Sequence, residues 1–185
     1  MKKGILLVLI VFNFIGSHSQ NIEFYKENIT MEISEGYFHV TGTYYLRSDS
    51  VPTFPLTYPF PKDPLYGEVD SVNIFNLKKG TPVEIKKSTE PGILFIAETD
   101  SNGKAEILIS YRQKLKGSKA EYIVLTTRTW QKPLEEATFQ LITPSDMVME
   151  HFSYLPSDTL VTPENTVYTW QKFNFMPDRD MVFEW

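Results

Sequence analysis

The sequence predicts an all-β fold, an antiparallel β-sandwich of two packed sheets with little helix. Apolar and polar residues alternate with a period of two in many short segments. Glycine, proline, asparagine or aspartate separates these segments, and helical patterns are limited to single turns at residues 126–131 and 133–137. Regular short strands without helices between them are typical of sandwiches and barrels.

The first two predicted strands form a hairpin. Ile29, Met31 and Ile33 share one face, and residues 34–36 (Ser-Glu-Gly) form the expected loop. Gly42 interrupts the second strand, which predicts a bulge or a close approach of the backbone to a neighbour. The apolar face of this second strand contains Phe38, Val40, Tyr44 and Leu46.

A second hairpin is predicted in the middle of the chain. Residues 92–98 (GILFIAE) and 104–113 (KAEILISYRQ) flank an Asn-Gly turn, which supplies the positive φ angles of a tight connection. We expect these two segments to pair, with an inward stripe of Ala105, Ile107, Ile109 and Tyr111. Further strands are predicted at residues 69–75, 82–87, 121–127, 137–143, 147–153, 167–173 and 181–185.

Residues 51–64 (VPTFPLTYPFPKDP) stand apart because they contain five of the twelve prolines. Proline cannot donate to a sheet ladder, so an edge position is expected, where prolines also block edge-to-edge association. A second interpretation is a stiff aromatic surface that binds a partner. The residues that would form this surface share one face of an extended chain: Phe54, Leu56, Tyr58 and Phe60.

The N-terminus has the three parts of a secretory signal peptide. Lys2 and Lys3 precede an apolar run that is too short to span a bilayer, and small residues follow it. We expect cleavage after Ser19, so that residues 1–19 are the signal peptide and residues 20–185 form one β-sandwich domain. The predicted location is outside the cytosol, periplasmic or extracellular, with no membrane span in the mature chain.

Composition and charge exclude several classes of partner and site. Cysteine is absent, so disulfides and thiolate metal sites are excluded. The net charge of −5 at pH 7 would become more negative without Lys2 and Lys3. Such a chain is repelled by nucleic acid, which we therefore do not expect as a partner.

No catalytic motif is present, and we expect no cofactor. His39 and His151 are the histidines that remain after cleavage, and neither lies in a serine-nucleophile motif. A glycosidase needs two carboxylates across a cleft, but the adjacent pairs Glu135/Glu136 and Asp178/Asp180 lie in turn-like sequence. The question of enzymatic activity stays open, with a non-enzyme favoured.

Two patterns favour binding sites but have simpler structural explanations. On a strand, Met147, Met149 and His151 would share a face, and thioether with imidazole suits Cu(I). Methionine is also a common filler of cores, and we expect packing rather than a metal site. Trp130, Trp170 and Trp185 could form a sugar-binding platform, although sandwich cores use the same aromatic residues.

Residues 121–144 (EYIVLTTRTWQKPLEEATFQLITP) and 173–185 (FNFMPDRDMVFEW) resemble an uncharacterised family of exported bacterial β-sandwich proteins. The phenylalanine- and proline-rich segment at 56–61 is similar to the opening module of that group, which has a distant likeness to vault-type β-sandwich modules. The resemblance implies a β-sandwich and no activity, because fold does not fix function.

The expected function is that of an exported, non-catalytic binding or structural module of the bacterial cell envelope. Its expected partner is an envelope protein or a carbohydrate. The alternative is a small secreted hydrolase acting on an envelope or dietary polysaccharide, which should show carboxylates or a histidine converging in a concave pocket.

Overall fold

A computed structural model describes residues 22–50, 52–62, 65–89 and 92–185. The predicted signal peptide lies outside the described residues. The strands are β1 (Ile22–Ser34), β2 (Tyr37–Ser48), β3 (Thr53–Pro59), β4 (Tyr66–Asn76), β5 (Thr81–Pro82), β6 (Ile85–Thr89), β7 (Gly92–Glu98), β8 (Lys104–Leu115), β9 (Lys119–Tyr122), β10 (Leu134–Pro144), β11 (His151–Phe152), β12 (Asp158–Val161), β13 (Asn165–Phe175) and β14 (Met181–Glu184).

The strands form two layers, which confirms the predicted all-β class. One layer is an eight-stranded sheet in the order β12-β13-β10-β1-β2-β8-β4-β5. The other layer is divided into two three-stranded sheets, β3-β7-β6 and β11-β14-β9. In the described ranges every strand pair is antiparallel except β1 with β10.

The core is continuous between the layers and draws on all three sheets. It buries the stripe of β1 that alternation predicts, Ile29, Met31 and Ile33, each at most 3% exposed. The predicted inward stripe of β8 is also buried, from Ala105 through Tyr111. The largest fully buried side chains include Trp170, Phe38, Phe54, Phe95, Phe139 and Phe183.

The first hairpin is confirmed, with Ser34 opposite Tyr37 across Glu35 and Gly36. The expected close approach at Gly42 is also present. A Cβ at Gly42 would lie 2.6 Å from both the Cδ1 of Ile29 and the hydroxyl oxygen of Tyr44. The bulge in this hairpin lies instead on β1, between Phe24 and Lys26.

The predicted hairpin of residues 92–98 with 104–113 is wrong. β7 pairs with β3 and β6, whereas β8 pairs with β2 and β4 in the large sheet. A tight turn does form, since the Asp100 carboxylate accepts the N–H groups of Asn102 and Lys104. Of the Asn-Gly pair, Gly103 has a positive φ of 72° and Asn102 does not. This turn carries the chain from one layer to the other, so the apolar stripes of β7 and β8 face each other across the core.

Three further local predictions need correction or refinement. Residues 126–131 do form a helical turn, since a short 3-10 helix spans Leu125–Trp130. Residues 133–137 are not helical, because β10 begins at Leu134. The strand predicted at residues 147–153 is reduced to His151–Phe152. Among the described residues, no helix has the length and apolar character needed to cross a membrane.

Candidate binding cavity

The predicted partner-binding stripe faces the interior. Phe54 is 1% exposed, and Leu56, Tyr58 and Phe60 are partly buried against the core. The ring of Tyr58 lies 5.5 Å from that of Tyr44 and 5.6 Å from that of Phe60. The stripe therefore packs β3 onto the large sheet, and partner binding by these four residues stays a prediction.

The copper pattern is not assembled on one strand. Met147 and Met149 precede β11 and pack against the core, while His151 is exposed. Within the described parts of the chain, no three His, Cys, Asp or Glu residues are grouped closely enough to hold a metal ion. The two methionines have the packing environment that the sequence favours for them.

Glu135 and Glu136 lie on β10 rather than in the predicted turn. The carboxylates of both pairs have structural partners. Glu135 pairs with Arg47 at 2.8 Å and Glu136 with Lys26 at 2.6 Å. Asp178 pairs with Arg179 at 2.8 Å. Asp180 accepts the N–H groups of residues 124 and 125 at 2.9 and 2.8 Å, which fixes the start of the 3-10 helix. These contacts commit the four carboxylates to loop and strand structure.

A cavity lies where the two small sheets adjoin above the large sheet. Its volume is about 80 Å³. Thr126 at its rim is exposed, and Thr57, Pro59, Ile123 and Trp130 are half-buried, so the cavity reaches the surface between β3 and the 3-10 helix. The remaining lining residues are Phe24, Glu27, Tyr44, Leu46, Leu56, Tyr58, Phe95, Ile107, Ile109, Tyr122 and Thr127.

Among the described residues that line this cavity, Glu27 is the one with a charge-bearing side chain. It is 2% exposed. Its Oε2 accepts a hydrogen bond from the Tyr122 hydroxyl at 3.2 Å, but its Oε1 has no hydrogen-bond partner among the described residues. A buried polar atom without a partner is rare in native structures and calls for an explanation, such as a bound water, an ion or a functional role.

Three tyrosine hydroxyls form a chain that ends on Glu27. Tyr122 lies 3.1 Å from Tyr44, and Tyr44 lies 2.7 Å from Tyr58. Each hydroxyl has one proton. Because Tyr122 donates its proton to Glu27, Tyr44 must donate to Tyr122 and Tyr58 must donate to Tyr44. The chain joins all three sheets, since Tyr58 is on β3, Tyr122 on β9 and Tyr44 on the large sheet.

Burial controls the acid–base properties of this site. Burial raises the pKa of Glu27 from 4.5 to about 8, and the hydrogen bond from Tyr122 opposes this shift. Burial likewise raises the pKa of the hydroxyls of Tyr44, Tyr58 and Tyr122 well above 10. The tyrosines are therefore neutral donors at physiological pH, and Glu27 is the group that can change its charge.

Glu27 belongs to no motif in the sequence, although the sequence contains a signal for it. The alternation that places Ile29, Met31 and Ile33 inward continues back by two residues to Glu27. A glutamate at an inward position of this alternation means either that its carboxyl is buried or that the alternation shifts by one residue. The bulge at Tyr25 restores Phe24 to the same face, which hides the pattern from an alternation count.

Comparisons with known proteins establish similarity of fold alone. No protein-family model matches the sequence, and no curated protein is significantly similar to it. Identities near 10% with solved structures carry no information on activity, and the resemblance to exported bacterial β-proteins stays a prediction.

Three solved structures illustrate this similarity. A candidate nutrient binding protein of Legionella pneumophila has a TM-score of 0.57 at 12% identity, covering 89% of this chain and 66% of that one. For an M1 zinc metallopeptidase of Deinococcus radiodurans the TM-score is 0.50 at 9% identity, with coverages of 89% and 42%. A yeast LTA4 hydrolase in complex with bestatin has a TM-score of 0.50 at 13% identity, covering 89% of this chain and 28% of that one. The chain thus spans less than two thirds of each protein.

Proposed function

We propose that this chain is an exported, non-catalytic binding module of the bacterial cell envelope, and that it holds a small ligand group in the cavity between its sheets. One observation carries the proposal: a formed cavity is lined by Glu27, a buried carboxyl with one oxygen that has no partner among the described residues. The similarity of fold to a candidate nutrient binding protein supports the same class.

The size of the cavity restricts what it can enclose. An engineered cavity of about 150 Å³ takes one benzene molecule, and a sugar ring with its hydroxyl groups is larger than benzene. A cavity of about 80 Å³ therefore accepts a group of a few heavy atoms. Of the two expected kinds of partner, a side chain of an envelope protein fits this site better than a carbohydrate.

The hydrolase alternative receives less support from the same cavity. Hydrolysis of a glycosidic bond needs an acid and a second carboxylate that acts as base or nucleophile. Glu27 is the one carboxylate among the described residues that line the cavity. Its raised pKa suits an acid, but among the described lining residues no second carboxylate is placed to complete the reaction.

A small set of probes tests the binding function. Propylammonium, 1-propanol and propionamide are titrated into the protein while the aromatic NMR signals of Tyr44, Tyr58 and Trp130 are followed. We expect at least one probe to shift these signals with saturation. Thr126→Trp at the rim should block the response, whereas Thr129→Trp, on the same helix but outside the cavity lining, should not. No saturable response to any probe would contradict the proposal.

Export is tested separately. The N-terminal sequence supports cleavage after Ser19, so protein recovered from outside the cytosol should begin at Gln20. N-terminal sequencing of that material is the measurement. An intact Met1 on cytosolic protein would remove export from the proposal without affecting the cavity.

A further inference from the structure

The polar groups of the cavity favour a ligand that is both a hydrogen-bond donor and a cation. The protons of Tyr58, Tyr44 and Tyr122 are all used within the chain of hydroxyls that ends on Glu27. The Glu27 carboxyl donates a hydrogen bond while it is neutral, but once ionised it only accepts, and its Oε1 has no partner among the described residues. An ionised Glu27 also has no basic side chain among the described lining residues to balance its charge. A cationic donor supplies both the missing hydrogen bond and the missing charge.

The walls of the cavity favour positive charge. Six of the lining residues are aromatic, and the faces of aromatic rings attract cations. Phe24 connects two of these walls, with ring centroids 6.0 Å from both Tyr44 and Trp130. Leu46, Ile107 and Ile109 add buried aliphatic walls that suit a short alkyl chain, and three threonines also line the cavity. No basic side chain lines the cavity among the described residues, so a bound cation would not be repelled there.

We propose that the cavity binds a primary alkylammonium group, with the ammonium donating to the carboxylate of Glu27 and a short alkyl stem lying against the aromatic walls. This inference rests on the proposed binding function and adds the chemical class of the ligand. Two sources share this chemistry: a free small amine and a lysine side chain of a partner protein.

Binding of a cation is coupled to the protonation of Glu27. An alkylammonium keeps its proton up to about pH 10, as lysine does. The pKa of Glu27 is about 8, so the carboxyl is largely neutral at pH 6 and 7 and must release its proton to pair with the ligand. The other titratable groups that line the cavity are Tyr44, Tyr58 and Tyr122, which stay neutral in this range.

The central experiment compares n-propylammonium chloride with 1-propanol, which has nearly the same shape and no charge. We expect saturable binding of propylammonium, measured by calorimetry and by the aromatic NMR signals, and at least tenfold weaker binding of 1-propanol. Affinity for propylammonium should rise about tenfold between pH 6 and pH 7 as Glu27 releases its proton more easily. Calorimetry in two buffers of different ionisation enthalpy should show the proton released on binding.

Two variants assign the effect to Glu27. Glu27→Gln keeps the shape and removes the negative charge, so propylammonium binding should fall at least tenfold and lose its pH dependence. Glu32→Gln, an exposed glutamate on the same strand, should bind as the unmodified protein does. The pH dependence and proton release of the unmodified protein test the inference independently of whether Glu27→Gln folds.

The outcomes separate this inference from the proposed function. Equal binding of 1-propanol and propylammonium, with no effect of Glu27→Gln, would overturn the ammonium assignment and leave the binding cavity in place. No saturable binding of any probe would overturn both. Nα-acetyl-lysine methylamide distinguishes the sources: its binding supports a lysine side chain of a partner, whereas binding of propylammonium alone supports a free amine.

Discussion

Glu27 places an ionisable group inside an aromatic core, and its effect on stability depends on pH. Its pKa is about 8 in the folded protein and 4.5 ordinarily, so the folded state holds a proton that the unfolded state has lost between these values. The stability from this group is complete below pH 4.5, decreases as pH rises through this window and stays low above pH 8. The total change is on the order of 5 kcal/mol.

The first prediction follows from this decrease of stability with rising pH. Glu27→Gln has no proton to lose, so its free energy of unfolding should exceed that of the unmodified protein increasingly as pH rises from 5.5 to 9. Urea unfolding at several pH values measures the difference, with Glu32→Gln as the control. A difference that is constant with pH would show that Glu27 is not buried as a neutral acid.

Tyr58 decides between the two interpretations of the proline-aromatic segment. Its ring contacts those of Tyr44, Phe60 and Tyr111, and its hydroxyl bonds to Tyr44. We predict that Tyr58→Ala lowers the free energy of unfolding by about 3 to 5 kcal/mol. Tyr37→Ala, on the outer face of the large sheet, should have a smaller effect. A loss below about 1 kcal/mol for Tyr58→Ala would favour a contact surface instead.

At the scale of elements, alternation predicted which face of each strand is buried but not which strands pair. Ala105, Ile107, Ile109 and Tyr111 face inward as the sequence indicates. The predicted pairing of β8 with β7 was wrong, because a short turn can join two strands within one sheet or across two layers. Both arrangements bury the same apolar faces of β7 and β8. The Asp100–Gly103 turn satisfies its own hydrogen bonds in either case, so local sequence does not distinguish them.

Gly36, in the turn between β1 and β2, and Gly103, in the turn between β7 and β8, both have a positive φ but differ in their surroundings. Gly36 has a φ of 78° and open space around it, whereas a Cβ on Gly103 would clash with the carbonyl oxygen of Ser48. We predict that Gly36→Ala costs about 1 kcal/mol from backbone strain alone, and that Gly103→Ala costs clearly more. Urea unfolding of the two variants provides the comparison. Equal losses would mean that the turn at Gly103 shifts enough to avoid the clash with the Ser48 carbonyl oxygen.

β3 is an edge strand whose prolines face its free side. Thr99 donates its N–H to the carbonyl of Pro52 at 2.9 Å, which sets the register of hydrogen-bonded pairs with β7. Alternate residues of an antiparallel pair bond across the ladder. The backbone groups of Leu56 and Tyr58 therefore face β7, while those of Pro55, Thr57 and Pro59 face away from it. This matches the expectation that the prolines occupy an edge.

Amide hydrogen exchange tests this register residue by residue. We predict slow exchange for the N–H groups of Leu56 and Tyr58, and exchange at least about tenfold faster for Thr57, whose N–H points to the free edge. NMR detection after transfer to D₂O resolves the three amides. Equal protection of Thr57 would show that β3 has a second strand neighbour, and the seam between the small sheets would then be closed.

For the whole molecule, the divided second layer is what creates the candidate site. Cross-strand ion pairs such as Lys26–Glu136 and Arg47–Glu23 cover the outer face of the large sheet and leave its inner face apolar. The two small sheets cover that inner face without joining at the seam between β3 and β9. The cavity and the tyrosine chain lie at this seam, a feature of topology that no single segment of sequence encodes.

Tyr44 connects both small sheets to the large one through a single hydroxyl, which predicts a specific non-additivity. In Tyr58→Phe the Tyr44 hydroxyl still bonds to Tyr122, and in Tyr122→Phe it can turn its proton toward Tyr58. In the double variant this buried hydroxyl has no remaining partner among the described residues. An unsatisfied buried hydroxyl costs about 1 to 3 kcal/mol.

We therefore predict that the double variant loses about 1 kcal/mol or more beyond the sum of the two single losses. Urea unfolding at pH 6, where Glu27 is neutral, measures the cycle. Repeating it in a Tyr44→Phe background provides the control, because the shared hydroxyl is then absent and the two changes should add. Additivity in the unmodified background would mean that Tyr44 does not link the two small sheets. The synergy, present with Tyr44 and lost without it, is expected only if this one hydroxyl connects both small sheets across the seam.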